Sequence, residues 1–223
     1  MSPAAEPAWL DPSIVAGFVA ATPNSRLIDY AGRLSRGTPL AALDIGCGAG
    51  RNAVPLARSG ANVIGTDLSW PMLTAAAARD AAGRLHLARA PMHALPIRSQ
   101  SMDLIIAHGI WNLARSGAEF RQAVREAARC AVPGARLFVF TFSRRTLAAE
   151  ILPVAGETFV FTQFSGTPQV FLTDGQLHEE LAGAGFDPDP DLPLREHNLP
   201  LPGQVRIGGA PIIYEAGFRR RGV

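Results

Sequence analysis

The stretch LDIGCGAG, residues 43–50, decides the fold class of this chain. The apolar residues 40–45 predict a buried strand, and three glycines follow at the spacing G-x-G-x-G. Residues 52–58 then have the composition of a helix, which Ser59 and Gly60 end. Because glycine permits a sharp turn and lets a ligand approach the backbone, this strand–loop–helix unit predicts a nucleotide-type binding site.

The rest of the chain alternates between strand-like and helix-like patterns. This alternation predicts an α/β fold in which a parallel sheet is covered by helices on both faces. Pro133 and Gly134 predict a turn that leads into a strongly β-prone run. The further strands are expected at residues 62–66, 85–88, 102–107, 136–142 and 212–218, and the helices after Ser69, over 119–130 and over 173–181.

Two segments depart from this alternation. Residues 9–34 have helical patterning before the first strand, so we expect a helical cap over residues 1–38 and the main domain over 39–223. The second segment is a small insertion around residues 146–172, in which two extended runs flank a Ser-Gly-Thr-Pro turn. We expect a hairpin there, over the carboxyl edge of the sheet.

The charge of the chain is small, and its basic residues are all of one kind. The formal net charge is +2, whereas proteins dedicated to nucleic-acid binding usually carry a clustered basic face. All 21 basic residues are arginine, which excludes lysine Schiff-base chemistry and a Walker-type phosphate lysine. We therefore expect no nucleic-acid partner.

Cysteines, histidines and apolar runs restrict the protein further. Cys47 and Cys130 are the only cysteines, too few for a disulfide framework or a four-cysteine zinc site, and the five histidines are scattered. No apolar run approaches the roughly 20 residues that span a bilayer, and the first ten residues show no signal peptide. We expect a cytoplasmic protein with neither a metal nor a membrane partner.

Two acidic residues flank the glycine loop. Asp44 lies just before it, where a carboxylate would repel a pyrophosphate but could accept hydrogen bonds from a cationic amino-acid ligand. Asp67 ends the next predicted strand, about twenty residues after the first glycine, where an acid commonly meets a ribose diol. Either acid could instead be structural, with Asp44 bracing the turn and Asp67 preceding the helix at Ser69. The glycine spacing also departs from the G-x-G-x-x-G of dinucleotide-binding loops.

The loop, the two acids and their strand context together resemble the class I S-adenosylmethionine (SAM)-dependent methyltransferases. The resemblance covers residues 40–142 and extends to Phe186 through residues 172–177. Residues 50–52 are also similar to the tellurite-resistance and thiopurine methyltransferase branch. The motifs that carry the resemblance are residues 43–52 (motif I), 63–69 (the next motif), 94–97 with 101–105 (the "LPF…FD" segment) and 132–137 (the "kPGG" turn).

This resemblance implies SAM as the cofactor and a Rossmann-like, seven-stranded, mostly parallel sheet with an antiparallel last strand. It implies that Asp44 holds the amino group of SAM and that Asp67 binds both ribose hydroxyls. Where the family usually has an acid for the adenine amino group, this chain has Pro91, so we expect that contact to be missing. The other implied cofactor residues are Gly46, Cys47 and Gly48 along the methionine part, Leu68 and Met72 against the adenine, Met92 through its backbone N–H, and His93 as a further candidate.

His108 is the candidate catalytic residue. It follows the fourth predicted strand, at the sheet edge where such folds bind ligands, and the resemblance places this stretch beside the transferred methyl group. A histidine there can be a general base or a polar wall of the site, and a purely structural role is the alternative. No Asn-Pro-Pro-Tyr or Asp-Pro-Pro-Tyr run follows this strand, which disfavours methylation of amide or exocyclic base nitrogens.

The sequence thus predicts a SAM-dependent methyltransferase (EC 2.1.1.-) that acts on an O, N or S nucleophile of a small molecule. Two alternatives stay open. A non-catalytic SAM-binding protein would fit Pro91, and a nicotinamide-dependent oxidoreductase would share the type of sheet. The loop spacing and the absence of a Tyr-x-x-x-Lys pair disfavour the oxidoreductase. The expected partner is the small-molecule acceptor, and a second copy of the chain, as a homodimer, stays open.

Overall fold

The computed structural model describes residues 8–35, 37–81, 83–199 and 210–222. Within this part of the chain, no helix is long and apolar enough to span a bilayer. The helices are α1 (Pro12–Ala20), α2 (Ser25–Leu34), α3 (Ala53–Arg58), α4 (Trp70–Arg79), α5 (Gly117–Cys130) and α6 (Asp174–Gly183). The strands are β1 (Ala41–Ile45), β2 (Asn62–Asp67), β3 (Leu85–Arg89), β4 (Met102–His108), β5 (Ala131–Phe142), β6 (Val160–Phe161), β7 (Gln169–Val170), β8 (Phe186–Pro188), β9 (Arg195–His197) and β10 (Ile213–Arg220).

The main sheet has the strand order β3-β2-β1-β4-β5-β10-β8, with β9 paired to β10. Strands β1 to β5 are parallel, whereas β10 runs antiparallel to β5, β8 and β9. The predicted Rossmann-like α/β fold, mostly parallel with an antiparallel last strand, is therefore confirmed. The sheet has eight strands, and the sequence analysis placed neither β8 nor β9. Each has only three residues, Phe-Asp-Pro and Arg-Glu-His, which carry no β-prone pattern.

The turn predicted at Pro133 and Gly134 is wrong, because both residues lie inside β5. Met102 of β4 pairs with Ala131, but Leu104 already pairs with Arg136, so the intervening residues bulge out of the ladder. A bulge tolerates these residue types, since proline donates no hydrogen bond and Gly134 has a φ of +80°.

Different apolar layers cover the two faces of the sheet. Successive residues of β4 alternate between them, as expected for a strand: Ile105 and Ala107 belong to one layer, and Leu104 and Ile106 to the other. Helices α5 and α6 cover the first face, and α2, α3 and α4 cover the second. Strand β1 lies between β2 and β4, so the order of the strands reverses there. The carboxyl ends of these strands form the crevice in which open α/β sheets bind ligands.

The N-terminal helices differ in how they are packed. Tyr30 of α2 is buried, and its hydroxyl donates to Asp189 Oδ2 at 2.5 Å, which ties this helix to the sheet. Helix α1 has no buried residue. The segment just before α1 is held by a hydrogen bond of 2.9 Å from Ser69 Oγ, at the start of α4, to the carbonyl of Trp9. Of the segment predicted as a cap, residues 1–7 and 36 lie outside the described residues.

The insertion forms a short hairpin, as the sequence predicts. Strands β6 and β7 pair antiparallel, and Phe171 N donates to the carbonyl of Phe159 at 2.9 Å. Leu172 then forms a parallel bridge with Ser143, which directly follows β5. The hairpin therefore lies at the carboxyl end of β5, although its strands are shorter than the extended runs of the sequence.

Candidate functional site

The glycine loop between β1 and α3 has a left-handed backbone at all three glycines, including Gly50 with a φ of +75°. Gly46 has a φ of +69° and Gly48 of +52°. A Cβ on Gly46 would lie 2.6 Å from Cδ1 of Ile110, which follows β4, so no other residue fits there. Cys47 N donates to the carbonyl of Thr66 at 2.9 Å and fastens the loop to β2. The loop therefore places its backbone at the crevice of the sheet.

Asp67, at the end of β2, connects the glycine loop to α4. Its Oδ2 accepts a hydrogen bond from Gly48 N at 2.9 Å, and its Oδ1 accepts one from Ser69 N at 2.8 Å. A carboxylate oxygen can accept more than one hydrogen bond, so both oxygens keep capacity for a ligand. Asp67 thus braces the loop and faces the adjoining cavity at once.

Asp44 lies behind the loop rather than in the cavity wall. Only 2% of this residue is exposed. Burial, and then the negative charge of Asp67, raise the pKa of Asp44 to about 7, although the N–H of Ala53 at the start of α3 opposes the shift. A carboxylate in such surroundings gains from a cation brought near it, because the cation offsets the loss of hydration. The surroundings of Asp44 therefore suit a cationic ligand. Its hydrogen bond from the N–H of Ala53 also fits the alternative role, in which Asp44 braces the turn.

Cys47, between the first two loop glycines, is buried and is not part of the cavity wall. Its side chain is buried against β2, where a Cβ on Gly65 would lie 2.8 Å from Cys47 Sγ. Burial, followed by the charges of Asp44 and Asp67, holds the pKa of the thiol well above its usual range. A thiol that stays protonated and buried is a poor nucleophile, so covalent chemistry at Cys47 is disfavoured.

A cavity of about 470 Å³ opens in front of the loop and α4. Its volume is in the range of small-molecule sites. The predicted site residues that the fold brings together in its wall are Gly46, Gly48, Asp67, Leu68, Met72, Met92, His93 and His108. Besides Pro91, nine other residues of this wall were not predicted as site residues: Trp9, Phe18, Ser69, Ala90, Gly109, Ile110, Leu113, Arg115 and Glu119. In the described part of the chain, no group of three or more His, Cys, Asp or Glu side chains is arranged to hold a metal ion.

Pro91 does lie in the wall, together with Met92 and His93, and an acid from another element lies near them. Glu119 of α5 places Oε1 at 3.7 Å from His93 Nδ1, and its Oε2 accepts a hydrogen bond from Arg115 N at 2.8 Å. The acidic side chain near Pro91, Met92 and His93 is therefore Glu119, in the first turn of α5. The sequence shows Glu119 only as an ordinary residue of the first turn, so no local signal could have revealed it.

His108 ends β4 with its ring stacked on Phe140 of β5. The two ring centroids are 4.1 Å apart, and the planes differ by 6°. Burial, and then the positive charge of Arg51, lower the pKa of His108 to about 4, although Glu215 acts in the opposite direction. The imidazole is therefore neutral at neutral pH. Its Nε2 lies 3.5 Å from Asn24 Nδ2.

Aromatic residues from the N-terminal segment close one side of the cavity. Trp9 and Phe18 contact each other edge to face, with ring centroids 6.1 Å apart. A Cβ on Gly48 would lie 3.4 Å from the Phe18 ring, so this ring covers the second loop glycine. The exposed helix α1 thus contributes an apolar wall to a cavity whose other residues come from strand ends, the loops after them and the starts of α4 and α5.

Known proteins are similar to the part of the chain that contains the glycine loop. Residues 43–139 match the family described as methyltransferase domain. This match covers less than half of the chain. The chain is 29% identical over 150 residues to a ubiquinone biosynthesis O-methyltransferase of Azorhizobium caulinodans, and this stretch covers 65% of the chain and 58% of that relative. It is 32% identical over 129 residues to a demethylmenaquinone methyltransferase of Corynebacterium glutamicum, covering 57% and 50%. The chain therefore spans about half the length of the curated relatives it matches.

A solved SAM-dependent methyltransferase from Methanosarcina mazei has a similar fold to this chain. The TM-score is 0.69 at 19% identity, and the likeness covers 90% of this chain and 99% of that structure. At this identity the likeness concerns the fold alone. The family match starts in β1 and ends in β5, so it includes the glycine loop, Asp67 and His108. Phe18, Asn24 and Glu215 lie outside it, and their contributions to the site belong to this chain.

Proposed function

We propose that this chain is a SAM-dependent methyltransferase that transfers a methyl group to an O, N or S nucleophile of a small molecule. One observation carries the proposal: the left-handed glycine loop and the Asp67 carboxylate face the same cavity, at the carboxyl ends of β1, β2 and β4. A diol-binding acid beside a close backbone approach suits a nucleoside ligand. The methyltransferase family match over residues 43–139 supports the same assignment.

The residues of the cavity fit SAM in their chemical nature. Asp67 retains hydrogen-bonding capacity for the two ribose hydroxyls. The buried carboxylate of Asp44 gains a counter-charge from the ammonium group of the amino-acid part. The loop backbone of Gly46 and Gly48 lines the path of that part, and we expect Cys47 between them to contribute through its main chain alone, since its thiol is buried.

The adenine would lie at the other end of the cavity. Leu68 and Met72 offer apolar surface for the ring, and Met92 offers its backbone N–H. His93 lies beside them, close to the carboxylate of Glu119. Pro91 has no side-chain acceptor for the adenine amino group, so we expect this end to contribute less to affinity than the ribose end.

When bound, SAM supplies a sulfonium-activated methyl group, and the chain's own residues orient the acceptor and exclude water. His108 is neutral in its buried position and offers one ring nitrogen as a hydrogen-bond acceptor to the nucleophile. Its low pKa makes it a weak base, so positioning of the nucleophile accounts for its role better than full proton removal. Trp9 and Phe18 keep water from the glycine-loop side of the cavity.

Calorimetry with the pure protein and S-adenosylhomocysteine tests this function most directly. We expect saturable binding at one site per chain. Absence of binding to both this compound and SAM would end the proposal, and saturable NADH binding would favour the oxidoreductase alternative. If the cofactor binds, a methyl-transfer screen against small molecules follows. Turnover with any acceptor excludes a non-catalytic SAM-binding protein.

The location and the partners also belong to the proposal. Both cysteines are free and buried, which fits the cytoplasmic location expected from the sequence. We propose that the chain works on a small molecule without a nucleic-acid partner. Cell fractionation tests the location, light scattering shows whether the chain is a homodimer, and a gel-shift assay with DNA and RNA tests the expected absence of nucleic-acid binding.

A further inference from the structure

A polar network joins the start of α2, the end of β4 and strand β10 beside the cavity. Asn24 is the N-cap of α2 and lies at the centre of this network. Its Oδ1 accepts a hydrogen bond from Leu27 N at 3.0 Å, and its Nδ2 donates to Glu215 Oε2 at 2.7 Å. Both ends of the amide group are therefore engaged, and its orientation is fixed. Nδ2 has a second N–H, and it lies 3.5 Å from His108 Nε2.

This contact determines where the proton of His108 resides. An amide N–H can only donate, so the ring nitrogen that faces it is unprotonated. A neutral imidazole carries its proton on one ring nitrogen, so with Nε2 unprotonated the proton of His108 resides on Nδ1.

Glu215 anchors the amide of Asn24 with a full negative charge. Its side chain is 3% exposed, and Arg26 Nη1 lies 3.0 Å from Oε1. Burial by itself would raise the pKa of Glu215, but the hydrogen bonds from Asn24 and Arg26 outweigh it, so the pKa is below the usual range. His197 Nε2 also lies 3.6 Å from Oε1. The bond to Asn24 is therefore charge-assisted and stronger than an ordinary side-chain hydrogen bond.

We propose that Asn24 is a positioning residue that holds His108 in the neutral Nδ1–H tautomer with an unprotonated Nε2, and that Glu215 acts through Asn24. The catalytic meaning of this tautomer rests on the proposed function, whereas the tautomer itself does not. At 3.5 Å the contact between Asn24 and Nε2 is long, so an acceptor O–H or N–H can replace it at little cost. Residues outside the methyltransferase family match thereby prepare the side chain beside the transferred methyl group.

The charged groups that face His108 come from two other elements. Arg51 approaches from the loop before α3 and disfavours the imidazolium, whereas Glu215 approaches from β10 and favours it. Arg26 and His197 reduce the influence of Glu215 because they lie against the same carboxylate. Loss of the amide donor at position 24 would therefore change both the tautomer and the ease of protonation of His108.

Two substitutions test the proposal while keeping the helix cap. Asn24→Asp and Asn24→Ser both retain an oxygen that can accept from Leu27 N, and both residues are good N-caps. In protein labelled with 15N at histidine, ring-nitrogen NMR spectra report the tautomer directly. We expect Nδ1–H for His108 in the wild type and a mixture in Asn24→Ser. In Asn24→Asp we expect Nε2–H, with the pKa of His108 raised by about 1 or more because a carboxylate then faces the ring.

Asn62→Asp is the matched control, because it makes the same change on an exposed residue at the start of β2. We expect it to leave the His108 signals unchanged. An Nε2–H tautomer in the wild type, or an unchanged tautomer in both Asn24 variants, would overturn the proposal. Once an acceptor is known, the acid limb of the pH–rate profile should move to higher pH in Asn24→Asp. The NMR arm needs no SAM, so failure of the proposed methyltransferase function would show separately, as absent cofactor binding.

Discussion

The two acids at the glycine loop play different parts at the scale of single residues. Asp67 contacts the loop directly and faces the cavity, while Asp44 lies behind the loop with 2% of its surface exposed. The hydrogen bonds of Asp67 to Gly48 and Ser69 reconcile both interpretations that the sequence left open, because one carboxylate can brace the loop and bind a diol. Their separate contributions can be measured one residue at a time.

Asp67→Ala should weaken the binding of S-adenosylhomocysteine at least tenfold. The substitution removes the acceptors for the ribose hydroxyls and releases Gly48 N, and tenfold corresponds to about 1.4 kcal/mol. Calorimetry measures the change. Asp29→Ala, on the exposed side of α2, is the control and should not alter affinity. Unchanged affinity in Asp67→Ala would mean that the ribose lies elsewhere.

Cofactor affinity should rise with pH through the titration of Asp44. Its pKa is about 7 without a ligand, so the carboxyl is largely neutral at pH 6 and charged at pH 8. Only the charged form attracts an ammonium group. The folded chain also binds this proton more tightly than the unfolded chain, so Asp44 lowers stability as the pH rises from about 4 to 7. Calorimetry with S-adenosylhomocysteine at both pH values tests the first point. Asn at position 44 should abolish the dependence, and a dependence that persists in Asp44→Asn would assign it to another group.

His108→Ala should lower turnover more than it lowers SAM affinity. The ring stacks on Phe140 beside the nucleophile's expected position and makes no contact that the cofactor depends on in the proposed arrangement. The measurement compares kcat for an acceptor found by screening with the calorimetric affinity for SAM. A larger loss of affinity than of turnover would make His108 a cofactor contact instead.

Local patterns explain most of the elements of this protein, and the exceptions have physical reasons. The N-caps Ser69 and Thr173 begin α4 and α6 as predicted, because their side chains bond to Met72 N and Gln176 N. The β5 bulge was mistaken for a turn, since proline and glycine signal both. Strand β9 exists because β10 offers it a partner, and pairing of this kind leaves no trace in three polar residues.

Substitutions of single glycines test the role of the whole glycine loop. Gly46→Ala should abolish cofactor binding and also destabilise the fold, because the added Cβ meets Ile110 at 2.6 Å on a backbone with positive φ. Gly60→Ala is a matched control, since Gly60 has a φ of +100° but nothing within 4 Å. It should cost about 1 kcal/mol of stability and leave binding intact. Thermal denaturation and calorimetry separate the two effects, and binding retained in Gly46→Ala would contradict the assigned loop.

Deletion of α1 alone and deletion of both α1 and α2 should have different effects on the stability of the whole molecule. A chain that begins at Thr22 lacks α1, which has no buried residue, so it should fold with little loss of thermal stability. Its cofactor affinity should fall several-fold, because Trp9 and Phe18 no longer close the cavity. A chain that begins at Ser35 also loses Leu27 and Tyr30, which are buried in the core, and should not fold. Unfolding of the first variant would show that α1 is structural.

The sequence by itself determined the fold class, the glycine loop, its two acids and the histidine at the sheet edge. These features are local or periodic, so a run of neighbouring residues is sufficient to encode them. Only the tertiary structure decided which further residues surround the candidate site. Phe18, Asn24, Glu119 and Glu215 are distant along the chain, and crossovers of the sheet bring them to one crevice. It also decided that Asp44 lies behind the loop and that Asp67 supports it, because burial and hydrogen bonding depend on neighbours that no local pattern names.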